Sequence, residues 1–418
     1  ARGVMYARGE YLLWWLEGMD TPALVTQFSA INPNNGSAIG PFTTLFGRNQ
    51  TLKDERSGGR VTLGLWLDDY GQWGVEGEYL ALADLEESFV AGVRDGSAPA
   101  IGSYIGRPFF NTGVIGAVLP GGRGPAVEDV DTNALDGTVT VDMRSEFQSA
   151  SLRLRHNLCC REGSSTSCGS GVDCGGGVGC GSGVGNGSAY PFGPLNRLCN
   201  LLRKGTRRTD MLYGVRWTNL NESIRITEDL QTLTAPISQL DVIDSFATEN
   251  EFIGGEIGYE TDWRFNRWSL RFLTKVAIGN TRQRVDINGS TVIDDVAVNP
   301  PDNIGGLLAQ RYVLPDGTVV GNIGTYERDE FSMIPEIGLT AGYNLTPRLK
   351  LTAGYTLLYW SNIVRPGEQI DLDVNANLLP RDGGPGVDTV VAGDHPRFEF
   401  RQTDLWATGV NFGAEYTW

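Results

Sequence analysis

Residues 404–418 constrain the fold more than any other stretch. From Trp406 the even positions are Trp406, Thr408, Val410, Phe412, Ala414, Tyr416 and Trp418, and the odd positions are Ala407, Gly409, Asn411, Gly413, Glu415 and Thr417. One face is apolar and aromatic; the other is small or polar. A period of two is a strand whose faces meet unlike surroundings. The stretch runs to Trp418 with no polar tail. That is expected of a strand closing a bacterial outer-membrane barrel, with Phe412, Tyr416 and Trp418 as its aromatic end, more than of a sandwich edge strand.

The same alternation recurs along the chain. It predicts strands over 5–16, 60–68, 72–82, 146–158, 210–220, 250–263, 268–279, 331–343 and 349–360, ahead of the closing strand. Tyr11, Trp14 and Trp15 are candidates for an aromatic girdle, and Pro335 inside a strand predicts a bulge. Short turns follow the second, sixth and eighth strands, on the side of both termini. The connection after the fourth strand lies there too, and five long loops share the other side. The segment 83–143, rich in Gly, Pro and Asp, reads as one such loop. Asn35-Gly36-Ser37 and Asn288-Gly289-Ser290 read as turns. The expected fold is all-β: a transmembrane antiparallel up-and-down β-barrel of about ten strands, eight to twelve allowed, with long extracellular loops and periplasmic termini. It forms one domain over 1–418, interrupted at 159–206 by a Gly- and Cys-rich periplasmic insert between the fourth and fifth strands.

Composition agrees with this frame. No run of eighteen apolar residues exists, so no helix is expected to span a bilayer. A mean hydropathy of −0.19 suits alternating strands, which average towards neutrality. A net charge of −16 argues against a nucleic-acid partner. The start at Ala1, without a charged and then apolar leader, reads as a mature chain after signal removal. Cys159, Cys160, Cys168, Cys174, Cys180 and Cys199 fall in one segment, without C-x-x-C spacing. Disulfides in an oxidising compartment are expected, with the pairing open and a metal site the lesser alternative. Asp129, Asp131 and Asn133 match the start of a calcium loop, but Ala134 stands where Gly is needed and Thr140 where Glu is needed, so a solvated acidic loop is the expectation.

The polar faces carry Arg8, Arg60, Arg153, Arg155, Arg216, Arg271, Lys275 and Lys350 against Glu10, Glu76, Glu78, Glu256, Glu260, Glu336 and Glu415. The signs nearly cancel. A barrel of about ten strands sits near the size that side chains fill. Pairing within the lumen is therefore expected, leaving it narrow, charge-lined or occluded. A filter that strips hydration from a solute is the sharper alternative.

Several stretches resemble one family: 8–19 (RGEYLLWWLEGM), 44–47, 56–79, 323–343 (IGTYERDEFSMIPEIGLTAGY), 354–371 (GYTLLYWSNIVRPGEQID) and the ending LWATGVNFGAEYTW. They are similar to outer-membrane β-barrel proteins of planctomycete bacteria known as putative porins. The resemblance implies an integral outer-membrane barrel in a Gram-negative envelope and no settled substrate. Arg365-Pro366-Gly367-Glu368 with Ile370-Asp371 reads as a loop element over the barrel mouth, or as a partner contact. The functional expectation is a porin-like protein. The alternative is a structural anchor whose long acidic loops contact other surfaces. Outer-membrane lipid is the expected partner, with a homo-oligomer or surface partners left open. His156 and His395 are the only histidines and belong to no nucleophile motif, so no enzyme and no cofactor is expected.

Overall fold

The computed structural model describes residues 4–31, 38–69, 71–112, 124–162, 165–167, 206–297, 303–314, 316–376, 379 and 395–418. Its main sheet is built from β1 (Met5–Leu16), β2 (Arg56–Trp66), β3 (Trp73–Leu82), β4 (Leu85–Val93), β5 (Leu135–Glu162), β6 (Thr206–Thr232), β7 (Gln239–Phe265), β8 (Trp268–Ile293), β9 (Gly324–Asn344), β10 (Leu349–Ile363) and β11 (Thr403–Thr417).

The sheet has no open end at the level of β1. Going round from β1, the antiparallel neighbours are β2, β3, β5, β6, β7, β8, β9, β10 and β11, and β11 pairs with β1 again. β4 follows β3 alongside the same partner, β5. Closure leaves no free sheet edge at that level, as hydrocarbon requires of a spanning sheet.

Four strands run far beyond the ring. β5, β6, β7 and β8 have 28, 27, 27 and 26 residues. At about 3.3 Å per residue each is close to 90 Å long, whereas a tilted crossing takes about 10 residues. The sequence reading ended these strands where their outward apolar pattern ends. The structure corrects it. The expected loop between 220 and 250 is a hairpin joined only by 233–238, and the strand expected to stop at Gly279 runs on to Ile293.

The reason is an exchange of faces. On the turn-side part of β7, Ile253, Ile257 and Tyr259 are exposed outward while Glu256 and Glu260 are buried inward. Further along, Glu251, Glu249 and Asp241 take the outward positions, and Phe252, Phe246 and Val242 are buried inside. β8 does the same: Phe272 and Ile278 point out over Arg271 and Lys275, then Asn280 and Arg282 point out over Val285 and Ile287. The β6–β7 and β7–β8 ladders show no register shift across this point. The pleat is unbroken; only the apolar side changes.

The loop-side cavity that results is filled by a second, five-stranded sheet of Val25–Phe28, Thr43–Phe46, Tyr104–Asn111, Gly124–Asp131 and Asp373–Val374. Its core includes Val25, Phe109 and Val130 against Val141, Ile226, Phe246 and Ile287 of the wall. The segment 83–143 is therefore not a single loop. It holds β4, two strands of the inner sheet and the start of β5.

Other expectations are corrected as well. Trp14 does not belong to a girdle: it is fully buried inside, while Tyr11 and Trp15 are exposed. Pro335 makes no bulge, because its ladder with Val276 keeps register, and the β9–β10 ladder begins only at Glu336. Its missing N–H thus falls where β10 asks for none. Asn288 lies within β8, opposite Ser245, not in a turn; Asn35 is outside the described residues. Asp129 and Asp131 end a strand, and Asp131 accepts from the Val93 amide at 3.2 Å. The 12-residue loop that calcium ligation needs is not formed there.

Candidate functional site: the barrel interior

Inward positions stack into three layers. The turn-side layer is charged. Arg153 bridges Glu76 (2.6 Å), Glu78 (2.9 Å) and Glu256 (3.1 Å), and Arg155 bridges Glu76 (2.7 Å), Asp210 (2.8 Å) and Glu260 (2.5 Å). Lys275 Nζ, with no exposed side-chain surface, lies 3.2 Å from Glu78, 3.5 Å from Glu256 and 3.2 Å from Glu336. Arg216 meets Glu256 and Glu336, and Arg60 lies within ion-pair reach of Glu10 and Glu336. Nearer the mouth, Arg8, Arg271 and Lys350 converge on Glu415 at 3.2, 2.8 and 2.9 Å. Tyr6 donates to Glu76.

All fifteen lumen charges expected from the sequence stand at inward positions, each with a partner of opposite sign. The sequence reading placed Tyr6 on the inward face but passed over Asp210 and Asp262. The two acids sit at inward positions of β6 and β7 and were legible by parity.

The middle layer is apolar. Leu12, Trp14, Leu80, Phe147, Leu220, Phe252, Ile334, Leu358, Trp360 and Leu405 meet across the lumen in one buried cluster. Both indoles keep a hydrogen bond, from Trp14 Nε1 to Asn411 Oδ1 (2.8 Å) and from Trp360 Nε1 to Thr281 Oγ1 (3.1 Å). This layer was hidden because apolar residues at inward positions break the polar-in pattern by which barrel strands are recognised.

The loop-side layer joins cap to wall by buried charges. Arg365 forms a two-pronged pair with Glu222 at 2.8 Å on each arm, and its Nη1 donates to the carbonyls of Glu17 and Gly18 at 2.9 Å. The helical turn Pro366–Gln369 follows directly. Arg107, on the inner sheet, donates to Glu228 of β6 (2.6 Å) and Asp244 of β7 (2.7 Å). Asp244 also accepts from the amides of Leu308 (3.0 Å) and Ala309 (2.8 Å).

Burial pushes the Glu228 carboxyl up to about 7, with the neighbouring Glu128 and Asp244 acting in the same direction and Arg107 opposing. Burial likewise raises Asp129 to about 6. A carboxyl raised in the fold stabilises it most when protonated. Cap stability is thus expected to fall as pH rises from about 4.5 to about 7, by at most roughly 3 kcal/mol for Glu228, and then to level off. Glu228→Gln should flatten that slope, read as hydrogen exchange of 104–111 at pH 5 and pH 8.

The two histidines have structural partners. His156 stacks on Trp73 at 4.1 Å. His395 Nδ1 lies 2.8 Å from Asp371 Oδ2. Among the described residues, Asp371, Asp373 and His395 are close enough to share an ion. Yet the Asp371 carboxylate already accepts from the amides of Asp373 and Arg397, both at 3.0 Å, as loop-folding bonds. The cysteine expectation cannot be followed into 168–205, which lies outside the described residues. Cys159 and Cys160 lie in the last turn-side residues of β5, paired along the backbone with Thr209 and Arg208.

The family described as "Putative beta barrel porin-7 (BBP7)" matches residues 6–418. The chain belongs to this family. As a BBP7 member it is an outer-membrane β-barrel of porin-like type, and the closed ring is that barrel. No curated protein matches the sequence. Solved structures similar to this BBP7 chain include the outer membrane protease OmpT from Escherichia coli, 8% identical over 99% of this chain and 97% of that one, with a TM-score of 0.40. The P. putida toluene transporter TodX is 7% identical over 100% and 90%, with a TM-score of 0.20. The channel DcaP of Acinetobacter baumannii is 7% identical over 100% and 96%, with a TM-score of 0.16. The fold reading rests on this chain's own strand pairing and on BBP7 membership.

Proposed function

We propose that this chain is a porin-like outer-membrane protein whose barrel is occluded at rest. Ten strands of the ring cross the bilayer, the long loops face the cell exterior, and both termini face the periplasm. The segment 159–206 is then a periplasmic insert, its six cysteines joined as disulfides. The observation that carries the occlusion is the buried apolar layer around Trp14, Phe252 and Trp360. A wet pore lined only by charges could pass ions. A dry layer of packed side chains excludes water, and ions with it. The charged layer below is paired and positions the strands; the folded cap lies above.

Planar-bilayer recording tests this. The unaltered protein is expected to add no steady conductance, and a stable ohmic step would overturn the occlusion. Trp14→Ala/Trp360→Ala removes two buried indoles and should convert silence into stepwise conductance. A second reading, a membrane anchor presenting its loops, is favoured by the depth of packing above the apolar layer. It wins if the double variant inserts, folds and stays silent.

A further inference from the structure

The turn-side mouth holds a cavity of about 730 Å³, the size range of sites for small organic ligands. Its lining carries eight basic and six acidic side chains. Five of the six acids are engaged, and the sixth, Asp69, is exposed at the rim. Asp210 holds Arg155 and Arg208; Glu260 holds Arg155; Asp262 holds Arg264; Glu415 holds Arg8, Arg271 and Lys350. Asp68 caps the amides of Gln72 and Trp73.

Three arginines have donors left over. Arg267 and Arg348 lie exposed on neighbouring turns, and among the described residues neither guanidinium has an ion partner within 4.0 Å. Backbone bonds fix both turns, from the Asn344 amide to the Arg267 carbonyl (2.8 Å) and from the Thr417 amide to the Arg348 carbonyl (2.9 Å). Deeper in, Arg271 is only 8% exposed, and its Nη1 is buried with no hydrogen-bond partner. An unmatched buried donor is costly to leave unmade. Planar guanidinium forks suit oxyanions better than any other ligand.

We propose that this vestibule binds an oxyanion, a carboxylate or phosphate group, held by Arg267 and Arg348 at the rim and Arg271 at the floor. The site lies below the apolar layer and does not depend on conduction. It places a cationic site on one face of a chain whose net charge is −16.

The test is calorimetric titration of the detergent-solubilised full chain with inorganic pyrophosphate in low-salt buffer. Saturable binding is expected. Arg267→Gln/Arg348→Gln, at exposed turns whose backbone bonds the substitutions leave in place, should weaken it at least tenfold. Arg282→Gln/Arg284→Gln, exposed on the loop-side wall, should leave it unchanged. Adding phosphatidylglycerol to the micelles separates the sources: competition identifies a lipid headgroup phosphate, and its absence a soluble oxyanion. No saturable heat, an unchanged affinity in the rim variant, or an equal loss in the loop-side variant would overturn the site.

Discussion

Lys275→Met is expected to lower barrel stability by about 3–5 kcal/mol, the scale of breaking a buried ion pair by removing one partner. Lys275 is the one lysine at the centre of the network, facing Glu78, Glu256 and Glu336. Arg153, Arg216 and Arg60 already share those three carboxylates, so none is free to replace it. Methionine fills the volume but strands a negative charge among buried side chains. The readout is the temperature at which the folded band on an unheated gel is lost. Adding Glu78→Gln restores the charge balance and should recover part of the loss. If Lys275→Met alone melts like the unaltered protein, the network is not tightly coupled.

Arg365→Met should release the cap and leave the barrel standing. Glu222 has no exposed side-chain surface, so the variant leaves a bare carboxylate beside Ser145 and Arg56. It also frees the carbonyls of Glu17 and Gly18, where the chain leaves β1 for the inner sheet. A local loss of about 3–5 kcal/mol is expected. It should appear as protease cleavage and fast hydrogen exchange in 17–28 and 366–376, with the gel transition unmoved. Loss of both together would mean that cap and barrel fold as one unit.

What the sequence disclosed follows from solvent. A strand with lipid outside and charge inside announces itself twice, so the turn-side halves of β7 and β8 and the fifteen lumen charges were legible. The loop-side halves carry the same period of two with the faces exchanged. Reading outward from Ile253 or Ile278, the apolar pattern stops at Glu251 and Asn280, where the sequence reading ends the strand. A search that let the apolar face change parity would have carried β8 to Ile287. The apolar layer failed differently. Leu12, Trp14 and Leu16 look inward, but Tyr11, Leu13 and Trp15 beside them are apolar too, so 11–16 shows no alternation. The Arg365 pair, 143 residues apart in the chain, has no local signature at all.

The point where the faces exchange also fixes how deep the molecule can sit. Sinking the barrel by one pleat repeat, about 7 Å, would draw Asn280 and then Arg282 towards hydrocarbon, at a cost that climbs to about 2–4 kcal/mol for an arginine at mid-bilayer. Lifting it would strand Trp268 and Leu270 in water. The protein is therefore a gauge of bilayer thickness, matched to one membrane and poorly tolerant of another.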